Sequence, residues 1–184
     1  MTKARVARRI AMAAAYGGGG LGLLSAGAFG LVRAEAALAR RTIGEPTGTP
    51  PDADGVYGKH HPGEMLTLAL LGDSSACGLG VDHPHQTPGA MLAAGLSEVA
   101  DRSVHLVCAA TVGARSSDLT VQVDAVEEHR PDVAVVMIGA NDVTHRVKPP
   151  TAVRHLDHVV RRLRDLGAEV VVGTCPDLGT VEPV

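Results

Sequence analysis

Between residues 65 and 174, short apolar runs alternate with longer amphipathic stretches. MLTLALL (65–71), SVHLVCA (103–109), DVAVVMIG (132–139) and EVVVGT (169–174) have strand length and are rich in Val and Leu. DVAVVMIG is apolar on both of its faces, which predicts a strand covered from both sides. The intervening stretches follow the helical period. TPGAMLAAGLSEVA (87–100) opens with a Thr cap and a Pro at the first helical position. SDLTVQVDAVEEH (117–129) is a second helix. TAVRHLDHVVRRLRDLG (151–167) sets Val153, Leu156, Val159, Val160, Leu163 and Leu166 on one stripe, with arginines opposite and Gly167 as the stop. Strands that alternate with helices pair in parallel through crossovers, so the expected fold class is α/β, a three-layer α/β/α arrangement around a parallel sheet.

The chain before Met65 reads differently. Residues 10–32 are 23 consecutive uncharged residues behind Lys3, Arg5, Arg8 and Arg9. At about 1.5 Å per residue, a helix of that length crosses a hydrocarbon layer of about 30 Å. Residues 1–44 are therefore expected to be an export signal or membrane anchor, with the basic residues on the cytoplasmic side and Ala34-Glu35-Ala36 as a weak cleavage site. Seven glycines in that stretch weaken its helix, and the competing reading is a flexible Gly/Ala-rich extension. Either export or anchoring places the rest of the chain outside the cytoplasm or on the cytoplasmic membrane. Residues 45–64, dense in Pro, Gly and Asp, are expected to be a linker, and the folded domain is expected to span 65–184.

Composition narrows the function classes. Residues 1–44 hold seven basic side chains and one acidic, whereas 45–184 hold ten basic and nineteen acidic. An acidic globular part argues against a nucleic-acid partner, because phosphate contacts need clustered positive charge. With two Tyr, one Phe and no Trp, the core must be aliphatic and a stacking surface for sugars or bases is not expected. Cys77, Cys108 and Cys175 are far apart with no Cys-x-x-Cys pair, so they read as packing residues. No cofactor motif is present, and no metal site is expected. His60, His61, His83 and His85 are the residues a metal cluster would draw on, but the expectation is that the histidines are mostly solvated.

In a parallel sheet the loops that follow the strands gather on one edge, where such folds bind ligands. Three segments meet there: Gly72-Asp73-Ser74, Thr111-Val112-Gly113 and Gly139-Ala140-Asn141-Asp142. They supply a hydroxyl, an unhindered backbone N–H and a carboxamide N–H, the parts that acyl transfer requires of a nucleophile and its oxyanion donors. Each segment taken singly also fits an ordinary turn. Ala76 stands where a Gly-x-Ser-x-Gly elbow needs its last glycine, and no Gly-Lys-Ser/Thr follows the glycines as a phosphate loop would require.

GDSSACGLG, the glycine of ATVGARS, and GAND resemble the first three sequence blocks of the SGNH or GDSL hydrolases over roughly residues 65–178. The resemblance implies a flavodoxin-like SGNH fold and an esterase or lipase-like hydrolase that forms an acyl-enzyme on Ser74. It implies an oxyanion hole made by Ser74, Gly113 and Asn141, with Asp73 ordering the turn, and an ester substrate that is a small molecule, a lipid or an acylated glycan. The family's last block, an Asp-x-x-His after a fifth strand, finds no match before Val184, which predicts a domain without its last strand and helix and an exposed apolar edge near EVVVGT. Two literal Asp-x-x-His strings occur elsewhere, at Asp82–His85 and Asp142–His145, out of the family's order. His145, with Asp142, is the stronger of these as a supporting pair. The alternative function is a non-catalytic, tethered module that binds an ester or glycan in the same cleft.

Overall fold

The structure, a computed structural model, describes residues 26–39, 41–42 and 48–173. The chain divides into two compact units, Met1–Glu45 with Pro183–Val184, and Pro46–Glu182. In the first, residues 26–39 form a helix, α1, on which Phe29, Leu31, Val32 and Leu38 are exposed. No helix among the described residues is long and apolar enough to cross a membrane. Residues 10–25, the larger part of the stretch expected to insert, lie outside the described residues.

The second unit runs β1 (Gly55–Tyr57), β2 (Leu66–Gly72), α2 (Ser74–Cys77), α3 (Pro88–Ala100), β3 (Val104–Cys108), α4 (Leu119–Val126), β4 (Val133–Met137), α5 (Ala140–Thr144), α6 (Pro149–Asp165) and β5 (Glu169–Gly173). The sheet order is β1-β3-β2-β4-β5. β3, β2, β4 and β5 run parallel to one another, as the alternation predicts, and β1 runs antiparallel to β3.

The two-residue period of β2 divides the core. Ala69 and Leu71 point into one layer with Leu119, Val123, Val126, Val159 and Leu163 from α4 and α6. Leu68 and Leu70 point into the other with Ala76, Ala90 and Ala93 from α2 and α3. Leu68, Leu70 and Leu71 are at most 1% exposed, and burying each stabilises the fold by about 1.5–3 kcal/mol. β2 is therefore held rigidly from both sides, and the segment at its carboxyl end inherits that rigidity.

The helices carry the caps expected of them. Thr87 Oγ1 accepts from the Ala90 N–H at 3.2 Å, and Pro88 opens α3. Gly167, at φ 96°, ends α6 and lets the Ala168 N–H reach the Leu163 carbonyl at 3.1 Å. The buried stripe of α6 is narrower than expected, because Val153 is 62% exposed on the first turns while Val159 and Leu163 are fully covered. Arg162 ties α6 to α4 through Asp124 and Glu127.

The stretch expected to be a linker is in part a strand. Residues 55–57 within it form β1, in register with Val104–Leu106 of β3. Just before it, Asp54 Oδ1 accepts from the Cys108 N–H at 2.8 Å, and Tyr57 Oη donates to the Ala53 carbonyl at 2.6 Å. Three residues are too few to show a period, and what makes them a strand is an unpaired edge of β3 some fifty residues away. At the other side of the sheet β5 is an edge strand, with Val171 and Val172 56% and 36% exposed.

Candidate active site

The end of β2 is built around one glycine. Gly72 lies at φ 149°, and a Cβ there would stand 2.0 Å from the Met137 carbonyl oxygen, so no side chain fits. Gln122 of α4 grips both backbone groups of Gly72: Oε1 accepts its N–H at 2.7 Å and Nε2 donates to its carbonyl at 2.8 Å. The Thr111 N–H donates to the same carbonyl at 3.1 Å, and the Asp73 N–H donates to Met137 O at 3.1 Å. The turn after β2 is thus fastened to α4, to the segment after β3 and to the end of β4.

Asp73 caps α2. Its Oδ1 accepts from the Ser75 N–H at 2.9 Å and from Ser75 Oγ at 2.5 Å, and the residue is 2% exposed. Two adjacent serines are separated by this bond. Ser75 has its hydroxyl committed to Asp73, whereas Ser74, half-buried at the first position of α2, has no side-chain hydrogen bond among the described residues. Asp73, expected to order the turn, accepts both of its side-chain bonds within it.

The other two segments are joined to each other. Residues Thr111–Ala114 make a turn closed by Ala114 N–H to Thr111 O at 3.1 Å, with exposed Gly113 at φ 82°. Asn141 Nδ2 donates to Ala114 O at 2.9 Å. A carboxamide has two N–H groups, so one is left after that bond. Asp142, 5% exposed, accepts from the Ser116 N–H at 3.1 Å and from Ser116 Oγ at 3.0 Å. The asparagine is positioned by its own bond and by its neighbour's.

The Asp-x-x-His strings do not join carboxylate to imidazole. Asp142 is occupied by Ser116, and exposed His145 has Nδ1 2.8 Å from the Asn141 carbonyl oxygen. His85 is exposed and stacks on His83, ring centres 5.5 Å apart. Neither imidazole bonds to Ser74 among the described residues.

Two concavities flank the Thr111–Val112 segment. One, of about 390 Å³, is lined mainly by apolar groups, including Ala76 and Cys77 of α2, Leu70, Leu106 and Pro51. The other, of about 310 Å³, lies toward α4, bordered by Gly113, Val121 and Gln122. Cys77, three residues after Ser74, is a poor competitor as nucleophile. Burial, with Cys108 and Asp73 adding negative potential, pushes its thiol up to about 11. Burial raises Cys108 as well.

Gln122 and Ser116 escaped the reading of the sequence. The signal for Gln122 is its place on α4: with Leu119, Val123 and Val126 it belongs to the buried face, where a carboxamide must find polar partners. Ser116 carries no comparable mark.

Residues 70–184 match the model of the GDSL-like lipase/acylhydrolase family. The chain belongs to that family. It is 39% identical over 186 residues to the GDSL-like esterase Rv1075c of Mycobacterium tuberculosis, an alignment that takes in 95% of this chain and 59% of the relative. The chain thus spans somewhat over half the length of that curated relative. Among solved structures, TesA superposes with a TM-score of 0.52 at 27% identity, covering 58% of each chain. AlinE4, described as an SGNH-hydrolase family esterase, superposes at 0.53 and 21% identity, covering 60% of this chain and 59% of its own. The α/β fold with its mostly parallel sheet is the fold of these SGNH neighbours.

Proposed function

We propose that this chain supplies the nucleophile of a carboxylic-ester hydrolase: Ser74 attacks the ester carbonyl, the alcohol leaves as the acyl-enzyme forms, and water then releases the acid. The observation that carries the proposal is the division of labour at Asp73. The buried carboxylate takes up Ser75 and leaves the Ser74 hydroxyl at the start of α2, on the edge of the sheet from which the Gly113 and Asn141 segments also emerge. The N–H groups of Ser74 and Gly113 and the remaining N–H of Asn141 serve as donors to the oxyanion that forms when the carbonyl becomes tetrahedral. Family membership and the esterase relatives support this chemistry over a module that only binds. The proton of Ser74 Oγ goes to a histidine oriented by an aspartate, as the family resemblance implies; within the described residues this chain contributes the nucleophile and the donors. The larger apolar concavity beside Ala76 and Cys77 supports a small ester with an acyl or other apolar group.

The test is labelling by a fluorophosphonate probe, which reacts with activated serines. Labelling located at Ser74 and absent from Ser74→Ala supports the assignment; equal labelling of both proteins overturns it. For location, the basic start and the uncharged run at 10–32 support export or anchoring. A reporter fused after residue 64 that remains in the cytoplasmic fraction would overturn that reading.

A further inference from the structure

We propose that His60, His61 and Glu98 form a zinc-binding site at the edge of the sheet opposite Ser74. One ligand atom from each lies within 4.8 Å of the other two. β1 ends at Tyr57 beside Val104, the first residue of β3, and α3 ends just before β3 begins. The turn after β1 therefore meets the last turn of α3 at the amino-terminal end of the parallel strands. Two imidazoles and a carboxylate are borderline donors of the kind zinc takes, and water completes four-coordination.

The turn is built for this approach. The His61 N–H donates to Gly58 O at 3.0 Å, and Gly58, at φ 61°, would put a Cβ 1.7 Å from the buried Ser97 Oγ. Only glycine lets the turn lie this close to α3. His61 Nδ1 is 2.7 Å from Asp101 Oδ1, which orients the ring and leaves Nε2 facing Glu98 at 3.4 Å. A carboxylate on the distal nitrogen of a histidine is the usual outer support of a zinc ligand. The His60 and His61 ring centres are 4.1 Å apart. An ion pair from His61 to Asp101 and Glu98 accounts for His61 and leaves the placement of His60 without a purpose; a metal ion accounts for both. His83 and His85 form a separate stacked pair and take no part. Bound zinc would link residues 37 positions apart and hold the turn after β1 against α3.

The test titrates zinc chloride into the chelator-treated full chain, followed by calorimetry and thermal melting. The four proteins are the wild type, His60→Ala, Glu98→Gln and the control His83→Ala/His85→Ala. His60 and Glu98 are exposed, so all four should melt alike without metal. The wild type and the control should bind zinc, with melting raised by about 5 °C at a hundredfold excess over Kd. His60→Ala and Glu98→Gln should each bind at least about tenfold more weakly. Equal affinity in all four proteins, or no binding tighter than about millimolar, overturns the proposal.

Discussion

The two ends of the parallel sheet both gather carboxylates, and they use them in opposite ways. At the carboxyl ends of the strands Asp73 and Asp142 are 2% and 5% exposed and turn inward, where Asp73 accepts from Ser75 of its own turn and Asp142 from Ser116 of the loop after β3. At the amino ends Glu98 and Asp101 stand mostly in solvent, with side chains 68% and 75% exposed, and face an imidazole. Buried charge is tolerated only when its hydrogen bonds are met, so the first pair is committed to structure and gives the neighbouring Ser74 and Asn141 fixed positions. The second pair is screened by water and remains free to exchange partners. Rigidity at one end suits a nucleophile, and exchangeable ligands at the other suit an ion.

Substitutions can break this contrast, and the largest effect belongs to the nucleophile. With a histidine and aspartate base at work beside it, Ser74→Ala should lower ester turnover by on the order of 10⁶, the scale seen when a hydrolytic serine is deleted, with little change in melting. A loss below tenfold would mean that the hydroxyl is not the attacking group. Gln122→Leu should follow, because it strips the buried Gly72 amide of its partner and its carbonyl of one of two. A stability loss of about 2–3 kcal/mol in urea unfolding is expected, together with reduced turnover. Unchanged urea midpoints would show that the clamp carries no energy.

Ser116→Ala tests the inward use of Asp142 and should cost about 1–2 kcal/mol, since the backbone bond to Asp142 survives. If it matters for catalysis through Asn141, kcat should fall while KM holds; a change confined to KM would remove that link. The smallest effect concerns Cys77. With its thiol pushed up to about 11, alkylation of the folded protein by iodoacetamide at pH 8 should be about 100-fold slower at this residue than in urea. The sign for stability follows: the unfolded chain releases this proton near 9.0 and the folded chain only near 11, so the contribution is whole below pH 9 and is lost as pH rises toward 11. Equal alkylation rates in the two states would contradict the burial.

The alternation of apolar runs with helical periods determined the order of β2 to β5 and the helices α3, α4 and α6, because each reports which side of a local element is dry. Parallel pairing then followed, and with it the edge on which Ser74, Gly113 and Asn141 emerge. The three motifs in register carried the family. Other features exist only through partners distant in the chain. β1 is a strand because β3 has an open edge. Gln122 reaches Gly72 across fifty residues, and His60 meets Glu98 only because Gly58 lets a turn settle on α3. Periodicity records the environment of a side chain, averaged over a local element. The identity of a hydrogen-bond partner is settled by packing, which no local window contains.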